Sequence, residues 1–531
     1  MRKVAYNACY GGFSLSKEAC IKLNELNNFK KDDDGYIDPE YGFINEDIIP
    51  RHDKNLIKVI EDFYKEDKNP SGCYSDIQIE EINDKYYIGM FDYAEARSTN
   101  VFKETLFFGI QYYIKRYLLN PITMEDVEEA KELLENTGVS FNYEDWGYIV
   151  DKHNGYLPIR IKAVKEGTLV PNKNVLFTVE STDTKVPWVA SFVETLLLKL
   201  WYSCNTATRS FYVKKMLKPY FDKTSGNKDI DFTFLNFGDR GSSSVETAII
   251  GGMAHLTSFK GTDNLNSLRY TKRFYGCNMG GYSIDATEHS TLSSWGETDE
   301  YKMIDNLLEV NKDKPLVACV MDTYNYLRAV NVVTAGTFLE KIESDEYPNF
   351  VIRPDSGNPL ELIPKTLDIM EENGVKYYTN KKGYKVFKHY KILWGDGINE
   401  DNIKDILDVV TDMGYSVDNF VFGSGGWLMT EHSRDTAGWA MKCSNISLIQ
   451  DNNIIERDVF KNPITDKKKK SKKGKVTLYK DLDTMDFFTE KIGYTNPKRN
   501  FVETLDIVYE NGRLYNETSL DEIRENLMSY L

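Results

Sequence analysis

The sequence predicts an α/β fold: an irregular (β/α) barrel, an α+β domain formed from the segments that flank it, and a small N-terminal extension. Three observations predict it. In the middle of the 531-residue chain, short apolar runs each end in a polar or glycine-rich cluster, and a helical pattern follows most of them. That alternation signals parallel strands wrapped by helices, and about six such units favour a barrel over an open sheet. The residues on either side mix strands with long helices, an α+β pattern. The boundaries this gives are 1–95 for the extension, 96–228 and 433–531 for the two parts of the α+β domain, and 229–432 for the barrel.

In chain order, residues 1–95 hold the acidic, turn-rich "FKKDDDGYIDPEYG" and the alternating "YSDIQIEEINDKYYIGMFDY", which reads as strands. No catalytic constellation falls there. Apolar residues at helical spacing predict helices in "FKETLFFGIQYYIKRYL" (102–118) and "WVASFVETLLLKLWYSCNTATRSFYVKKML" (188–217), with strands between them in "YLPIRIKAVKEGTLVPNKNVLFTVEST". The barrel strands follow. "IDFTFLNF" runs into "GDRGSSSVET" and "HLTSF" into "KGTDN". "KPLVACVM" ends at Asp322, "NFVI" at "RPDSGNP", "YKILW" at "GDGINED" and "NFVF" at "GSGGW". Helices follow as "NPLELIPKTLDIMEENG" and "NEDNIKDILDVVTDMG", each closed by a glycine.

Composition removes several function classes. A formal charge of −16 argues against general nucleic-acid binding. No apolar run is long enough to span a membrane, and the first residues lack a signal-peptide core, so a cytoplasmic protein is expected. Seven dispersed cysteines without a CxxC pair read as reduced packing residues, not a zinc site or disulfide frame. One basic run, "DKKKKSKKGK" (Asp466 to Lys475), opposes the acidic trend and by itself reads as a solvated linker.

Chemistry collects at the C-terminal ends of barrel strands. In "RPDSGNP", Arg353 offers a planar fork for phosphate and Asp355 can accept from sugar hydroxyls; the alternative is an Arg–Asp ion pair closing a turn. The glycines of "GDG" and "GSGG" let backbone N–H groups approach an anion, and together these clusters converge on a sugar phosphate. In "NFGDRG", Arg240 can bind phosphate and Phe237 offers a flat face for an aromatic ring. "SSVE" has the capping-box spacing from Ser243 to Glu246. Asp263 carries only acceptors when ionised, so it can hold a carboxamide N–H₂ and would repel a carboxylate. Glu288 and His289 sit in a polar, hydroxyl-rich run with no apolar face to serve.

In order along the chain, "GDRGSSSVETAIIGGMAHLTSFKGTD", "GYSIDATEHST", "IRPDSGNPL", "GDGIN", "FGSGG" and "KKGK" resemble the nicotinamide phosphoribosyltransferase family of type II phosphoribosyltransferases. The resemblance runs from about Phe102 to the C-terminus. It implies a pentosyltransferase of NAD salvage, joining nicotinamide to 5-phosphoribosyl 1-pyrophosphate with Mg²⁺. It makes His289 catalytic and phosphorylated by auxiliary ATP, with Asp322 as its carboxylate partner and Glu288 beside it. Asp263 would bind the nicotinamide amide, Phe237 would stack on the ring, and Arg240 would border the nicotinamide and take the pyrophosphate. Ser283, Arg353, Asp355, Lys391, Gly395, Asp396, Gly425, Gly426 and Trp427 fall to the ribose and 5′-phosphate. Arg434, Lys442 and Lys469 would reach the pyrophosphate from a second subunit, which implies a homodimer with shared sites. The family's tyrosine-bearing N-terminal segment has no counterpart in residues 1–95.

Trp427 follows the glycines where relatives carry a small residue. Packing is one role for it. Stacking on an adenine is another, and would make the donor ADP-ribose pyrophosphate and the product NAD⁺. A reading of another class is a non-catalytic nucleotide-binding protein with the same fold.

Overall fold

The computed structural model describes residues 87–227, 229–450, 453–463 and 470–531, together with 2–7, 15–29, 31, 37, 53–66, 68, 70, 71 and 77–82. The chain divides into two compact units, Met1–Gly89 with Ile446–Arg457, and Met90–Asn445 with Asp458–Leu531.

In the smaller unit the strands Arg2–Asn7 and Ile77–Ile82 pair antiparallel. Two helices, Lys17–Asn27 and Lys54–Lys65, are started by the side chains of Ser16 and Asp53, which accept from first-turn N–H groups. Their apolar stripes meet, burying Ala19, Cys20 and Leu23 with Leu56, Val59, Ile60 and Phe63.

The larger unit contains the barrel. Its strands are β1 (Phe234–Asn236), β2 (Gly261–Thr262), β3 (Asp285–Ala286), β4 (Leu316–Val320), β5 (Asn349–Arg353), β6 (Tyr390–Trp394) and β7 (Phe420–Ser424). They form one sheet in the order β3-β4-β5-β6-β7-β1-β2, parallel throughout. Its two edges meet at Tyr282, just before β3. There the Thr262 N–H donates to the Tyr282 carbonyl at 3.0 Å and the Tyr282 N–H to the Lys260 carbonyl at 2.7 Å. So slight a seam leaves the barrel irregular. Side chains alternate across the strands. Ala318, Val351 and Leu393 face inward with Leu235 and Val421, whereas Val317, Cys319, Phe350, Ile352 and Trp394 pack outward under helices through Ile363, Leu367, Ile403 and Leu407.

Seven strands replace the expected six. β2 and β3 have two residues each, too short to leave an apolar run, and "HLTSF" is the end of the helix Val245–His255 and the turn after it. The cap of that helix is also one residue later than expected. Ser244 pairs with Thr247, and Glu246 instead accepts from the hydroxyls of Tyr112 (2.8 Å) and Tyr117 (2.5 Å). The helices Pro359–Glu372 and Glu400–Asp412 end as expected, with Gly374 and Gly414 in the left-handed region at φ 75° and 84°.

A second sheet, the flanking sheet, joins segments from both sides of the barrel. Val175–Ser181 lies between Tyr87–Ala96 and Ile159–Val164, and the last of these pairs with Leu505–Glu510, all antiparallel. "FKETLFFG" opens not as helix but as the strand Glu104–Leu106, because Leu169–Pro171 pairs with it. The long helix α1 (Leu200–Thr224) spans both cores. Cys204, Ala207 and Phe211 enter the core of the flanking sheet, and Val213, Leu217 and Phe221 that of the barrel.

Candidate active site

A cleft of about 1420 Å³ opens over the C-terminal ends of β1, β2, β5, β6 and β7 and reaches into the barrel interior. Its walls are built by the turns that follow those strands. Asn236, fully buried at the end of β1, accepts the Gly238 N–H on its side-chain oxygen at 2.8 Å and the Asp263 N–H on its carbonyl at 3.3 Å. One residue thus fixes both the turn carrying Phe237 and Arg240 and the backbone carrying Asp263.

The Phe237 ring lies directly on two strand ends. A Cβ at Gly423 would stand 2.1 Å from the ring's Cε2, and one at Gly395 3.6 Å from it and 3.4 Å from Asp355 Oδ1. Only glycine at 423 permits that approach. Phe237 is tied there by its N–H, which donates to the Ser424 carbonyl at 2.9 Å.

Asp263 opens onto the cleft, and the walls around it push its carboxyl above the usual range. Burial is the largest cause and Asp239 adds to it, while Arg240 and Arg353 oppose. Neither arginine has a carboxylate within ion-pair distance among the described residues, and the Arg353 Nε is buried without a partner. The expected alternative, a turn closed by Arg353 and Asp355, is therefore not formed. Both guanidinium groups face the cleft with donors to spare.

The loop after β5 is held elsewhere. Asp322, at the end of β4, accepts the Asp355 N–H on Oδ2 at 3.2 Å, and the Ser356 hydroxyl donates to the same oxygen. Its other oxygen lies 3.0 Å from His289 Nε2. The Asp322 side chain is 7% exposed and that of His289 46%, so a fixed carboxylate holds an accessible imidazole. A proton on Nε2 directs any acceptor chemistry to Nδ1, which has no partner among the described residues. Glu288 lines the cleft and accepts from the Ser290 hydroxyl. His289 and Asp322 stand outside the cleft wall, joined to it through Asp355.

Ser283, Gly395, Asp396, Gly425, Gly426 and Trp427 all line the cleft. Lys391 lines it too but is not gathered with Gly395 and Asp396. Its ammonium donates to the Asp418 carbonyl at 2.8 Å, toward the N-terminal end of the barrel, and burial lowers its pKa. Trp427 has the Arg209 guanidinium 4.5 Å from its ring centroid, so one face is taken. Arg434 pairs with Asp435 at 2.9 Å and Lys442 with Glu194 at 3.2 Å, and neither lines the cleft. Lys469 lies outside the described residues. No group of three or more His, Cys, Asp or Glu is set to hold a metal among the described residues, and no helix among them is long and apolar enough to cross a membrane.

Three contributors were given no role from the sequence. Asp239 and Ser356 sit inside quoted motifs and signalled nothing by type. Arg209 comes from α1, 218 residues before the Trp427 it covers.

A family model described as the nicotinate phosphoribosyltransferase (NAPRTase) family matches residues 232–513, just over half the chain. The chain belongs to the nicotinate phosphoribosyltransferase family. A second model, the nicotinamide phosphoribosyltransferase N-terminal domain, matches residues 85–161, so the likeness begins before Phe102, at the strand Tyr87–Ala96. Among curated relatives, the nicotinamide phosphoribosyltransferase of Xanthomonas campestris pv. campestris is 40% identical over 82% of this chain and 92% of that protein. That of Acinetobacter baylyi is 29% identical over 88% and 96%. Among solved structures, the nicotinate-nucleotide pyrophosphorylase from Pyrococcus furiosus shares the fold with a TM-score of 0.52 at 16% identity, covering 84% of this chain and 89% of that one. In this nicotinate phosphoribosyltransferase family member, most of the residues named from the sequence are gathered at one cleft; His289 and Asp322 stand beside it, Lys391 lines it away from Gly395 and Asp396, Arg434 and Lys442 do not line it, and Lys469 lies outside the described residues.

Proposed function

We propose that this member of the family joins nicotinamide to 5-phosphoribosyl 1-pyrophosphate, giving nicotinamide mononucleotide and pyrophosphate for NAD salvage in the cytoplasm. The observation that carries this reading is Asp263, a carboxyl in a cleft that also holds Arg240 and Arg353, none of the three having an ion-pair partner among the described residues. A pyridine amide offers it an N–H₂ donor. A pyridine carboxylate would meet it with like charge.

In the proposed complex Phe237 stacks on the nicotinamide ring and Arg240 receives the diphosphate. Arg353, Asp355, Ser283 and the glycines 395, 425 and 426 hold the ribose phosphate. The ring nitrogen attacks C1 of the ribose with inversion while the C1–O bond breaks, its electron pair leaving with the diphosphate. That nitrogen carries no proton, so no base is required. Catalysis is positioning and charge stabilisation, each well-aimed cation contributing ~3 kcal/mol. Seven carboxylates line the cleft against three cations, Arg240, Arg353 and Lys391. A donor rich in phosphate oxygens needs more positive charge than this. Mg²⁺ fits that need, since it rides on substrate phosphates with one or two carboxylates, for which Asp355 and Asp396 are available. When bound it would neutralise the diphosphate. Arg434, Lys442 and Lys469 of a second copy in a homodimer would add the remainder. The His289–Asp322 pair supports the auxiliary reaction, phosphoryl transfer from ATP to the imidazole.

The ADP-ribosyl donor has no observation of its own, because Arg209 accounts for Trp427. One assay separates the readings. The purified protein is incubated with Mg²⁺, nicotinamide and either donor, and products are identified by mass. The mononucleotide supports this proposal. NAD⁺ from ADP-ribose pyrophosphate alone supports the other donor, and no product with either leaves a nucleotide-binding protein. Faster turnover of nicotinate than nicotinamide would refute the role given to Asp263. His289→Ala should lose stimulation by ATP while keeping basal turnover.

A further inference from the structure

Arg209 is 7% exposed and has no carboxylate within ion-pair distance among the described residues. Burying a guanidinium without an anion is costly, so its other partners matter. Two are backbone carbonyls on one loop, and Nη1 also lies 3.4 Å from His432 Nδ1 on the same loop. Nη1 donates to the Trp427 carbonyl and Nη2 to the Glu431 carbonyl at 3.0 Å, and the guanidinium carbon lies over the Trp427 ring, 4.5 Å from its centroid. Neighbouring residues of α1 continue the attachment. Thr206 Oγ1 meets His432 Nε2 at 3.1 Å, and the Asn205 amide donates to the Ser433 carbonyl at 3.1 Å.

The segment so held begins at Gly425 and Gly426, which line the cleft immediately after β7. Glycines are free to move, and this pair takes its place from the residues that follow: the Gly425 carbonyl accepts the Met429 N–H at 3.1 Å and the Gly426 carbonyl the Thr430 and Glu431 N–H groups at 2.7 and 3.1 Å, so whatever anchors 427–431 also places the glycines. A planar fork can hold two carbonyls four residues apart while stacking on the ring between them. An ammonium cannot.

We propose that Arg209 is the positioning residue of the donor's 5′-phosphate subsite, clamping the loop behind Gly425 and Gly426 with Trp427 as its seat. The inference rests on the proposed donor binding at these glycines. It makes Trp427 part of the phosphate loop's support and not a base-stacking platform.

The test compares Arg209→Lys, Arg209→Ala and Trp427→Leu with the wild type. Arg209→Lys should raise KM for 5-phosphoribosyl 1-pyrophosphate about tenfold, the loss of one charge-assisted hydrogen bond, with KM for nicotinamide nearly unchanged. Trp427→Leu keeps both carbonyl bonds and should have a smaller effect in the same direction. Calorimetry with ribose 5-phosphate should show the matching loss of affinity. If Arg209→Ala fails to fold, the other two variants carry the comparison. Unchanged donor KM and ribose 5-phosphate affinity in Arg209→Lys would overturn the clamp, as would equal increases in both KM values. A wild type that binds ribose 5-phosphate but makes no mononucleotide would sink the proposed reaction, while weaker binding by Arg209→Lys would still uphold the clamp. A wild type that binds no ribose 5-phosphate would overturn both.

Discussion

Asp263 and Asp92 are both carboxyls held above the usual range chiefly by burial, yet their surroundings assign them different work. Asp92, on the strand Tyr87–Ala96, is 1% exposed, pushed up to about 6, and lines no part of the cleft. Both its oxygens accept from the Ser191 hydroxyl, at 2.9 and 3.1 Å. Burial outweighs those bonds, which favour the charged form, so between about pH 4 and pH 6 folded Asp92 keeps a proton that the unfolded chain releases. Its contribution is present below about pH 4 and lost as pH rises through about 6, amounting to about 3 kcal/mol at pH 8. Asp92→Asn, whose amide oxygen can still accept from Ser191, should raise Tm at pH 8 and change it little near pH 4. An equal difference at both pH values would contradict this account.

At Asp263 a shift in the same direction becomes a property of turnover. As pH falls, the raised carboxyl takes a proton and loses acceptors needed by the amide. kcat/KM for nicotinamide should then fall at a pH above the ordinary carboxylate range, and Asp263→Asn should abolish that acid limb. The variant should also lose about tenfold or more in kcat/KM for nicotinamide, the usual scale for a hydrogen bond to a charged group, and discriminate less against nicotinate. Steady-state pH profiles with both acceptors decide it.

Elements explain what the sequence could reveal. β4 to β7 were legible because each has five residues and an apolar run ending in its own polar cluster. The clusters after β5, β6 and β7 were legible as chemistry for the same reason. β2 and β3 were not, because two residues of ladder leave no periodicity. Tertiary pairing made Glu104–Leu106 a strand against its helical pattern. Arg209 was invisible because its partners lie more than 200 residues on, and nothing in a helical repeat marks a residue that holds a distant loop. Asp239, inside a visible motif, needed the fold to bring it within electrostatic reach of Asp263.

The element-level prediction concerns Gly423, whose backbone within β7 serves as the bed for Phe237. Gly423→Ala puts a methyl group where the ring now lies, and the ring must turn away. Overpacking of this kind costs about 1–3 kcal/mol. Here it should appear mainly as a raised KM for nicotinamide, because the ring faces the cleft. An alanine variant with unchanged KM for nicotinamide would show that Phe237 does not support the acceptor.

At the scale of the molecule, charge balance argues for a second copy. The chain carries a formal charge of −16, and the cleft repeats that imbalance with seven carboxylates against three cations. One of those cations, Lys391, is already bonded to the Asp418 carbonyl. Arg434 is about half exposed, pairs among the described residues only with its sequence neighbour Asp435, and does not line the cleft of its own subunit. Donated to a partner's cleft, it would add a cation to the Arg240 and Arg353 already there. If sites are shared in this way, Arg353→Ala and Arg434→Ala should each be inactive alone and active when mixed. Random exchange between two-fold dimers makes half of them mixed, each with one site free of both substitutions. Recovered activity should therefore reach about a quarter of the wild-type value, counting sites in a two-fold dimer. The measurement is turnover after the two variants are dissociated together and reassociated, with separately treated variants as controls. Recovery that stays at the level of those controls would mean that each subunit completes its own site, and the missing positive charge would then have to come from the metal alone.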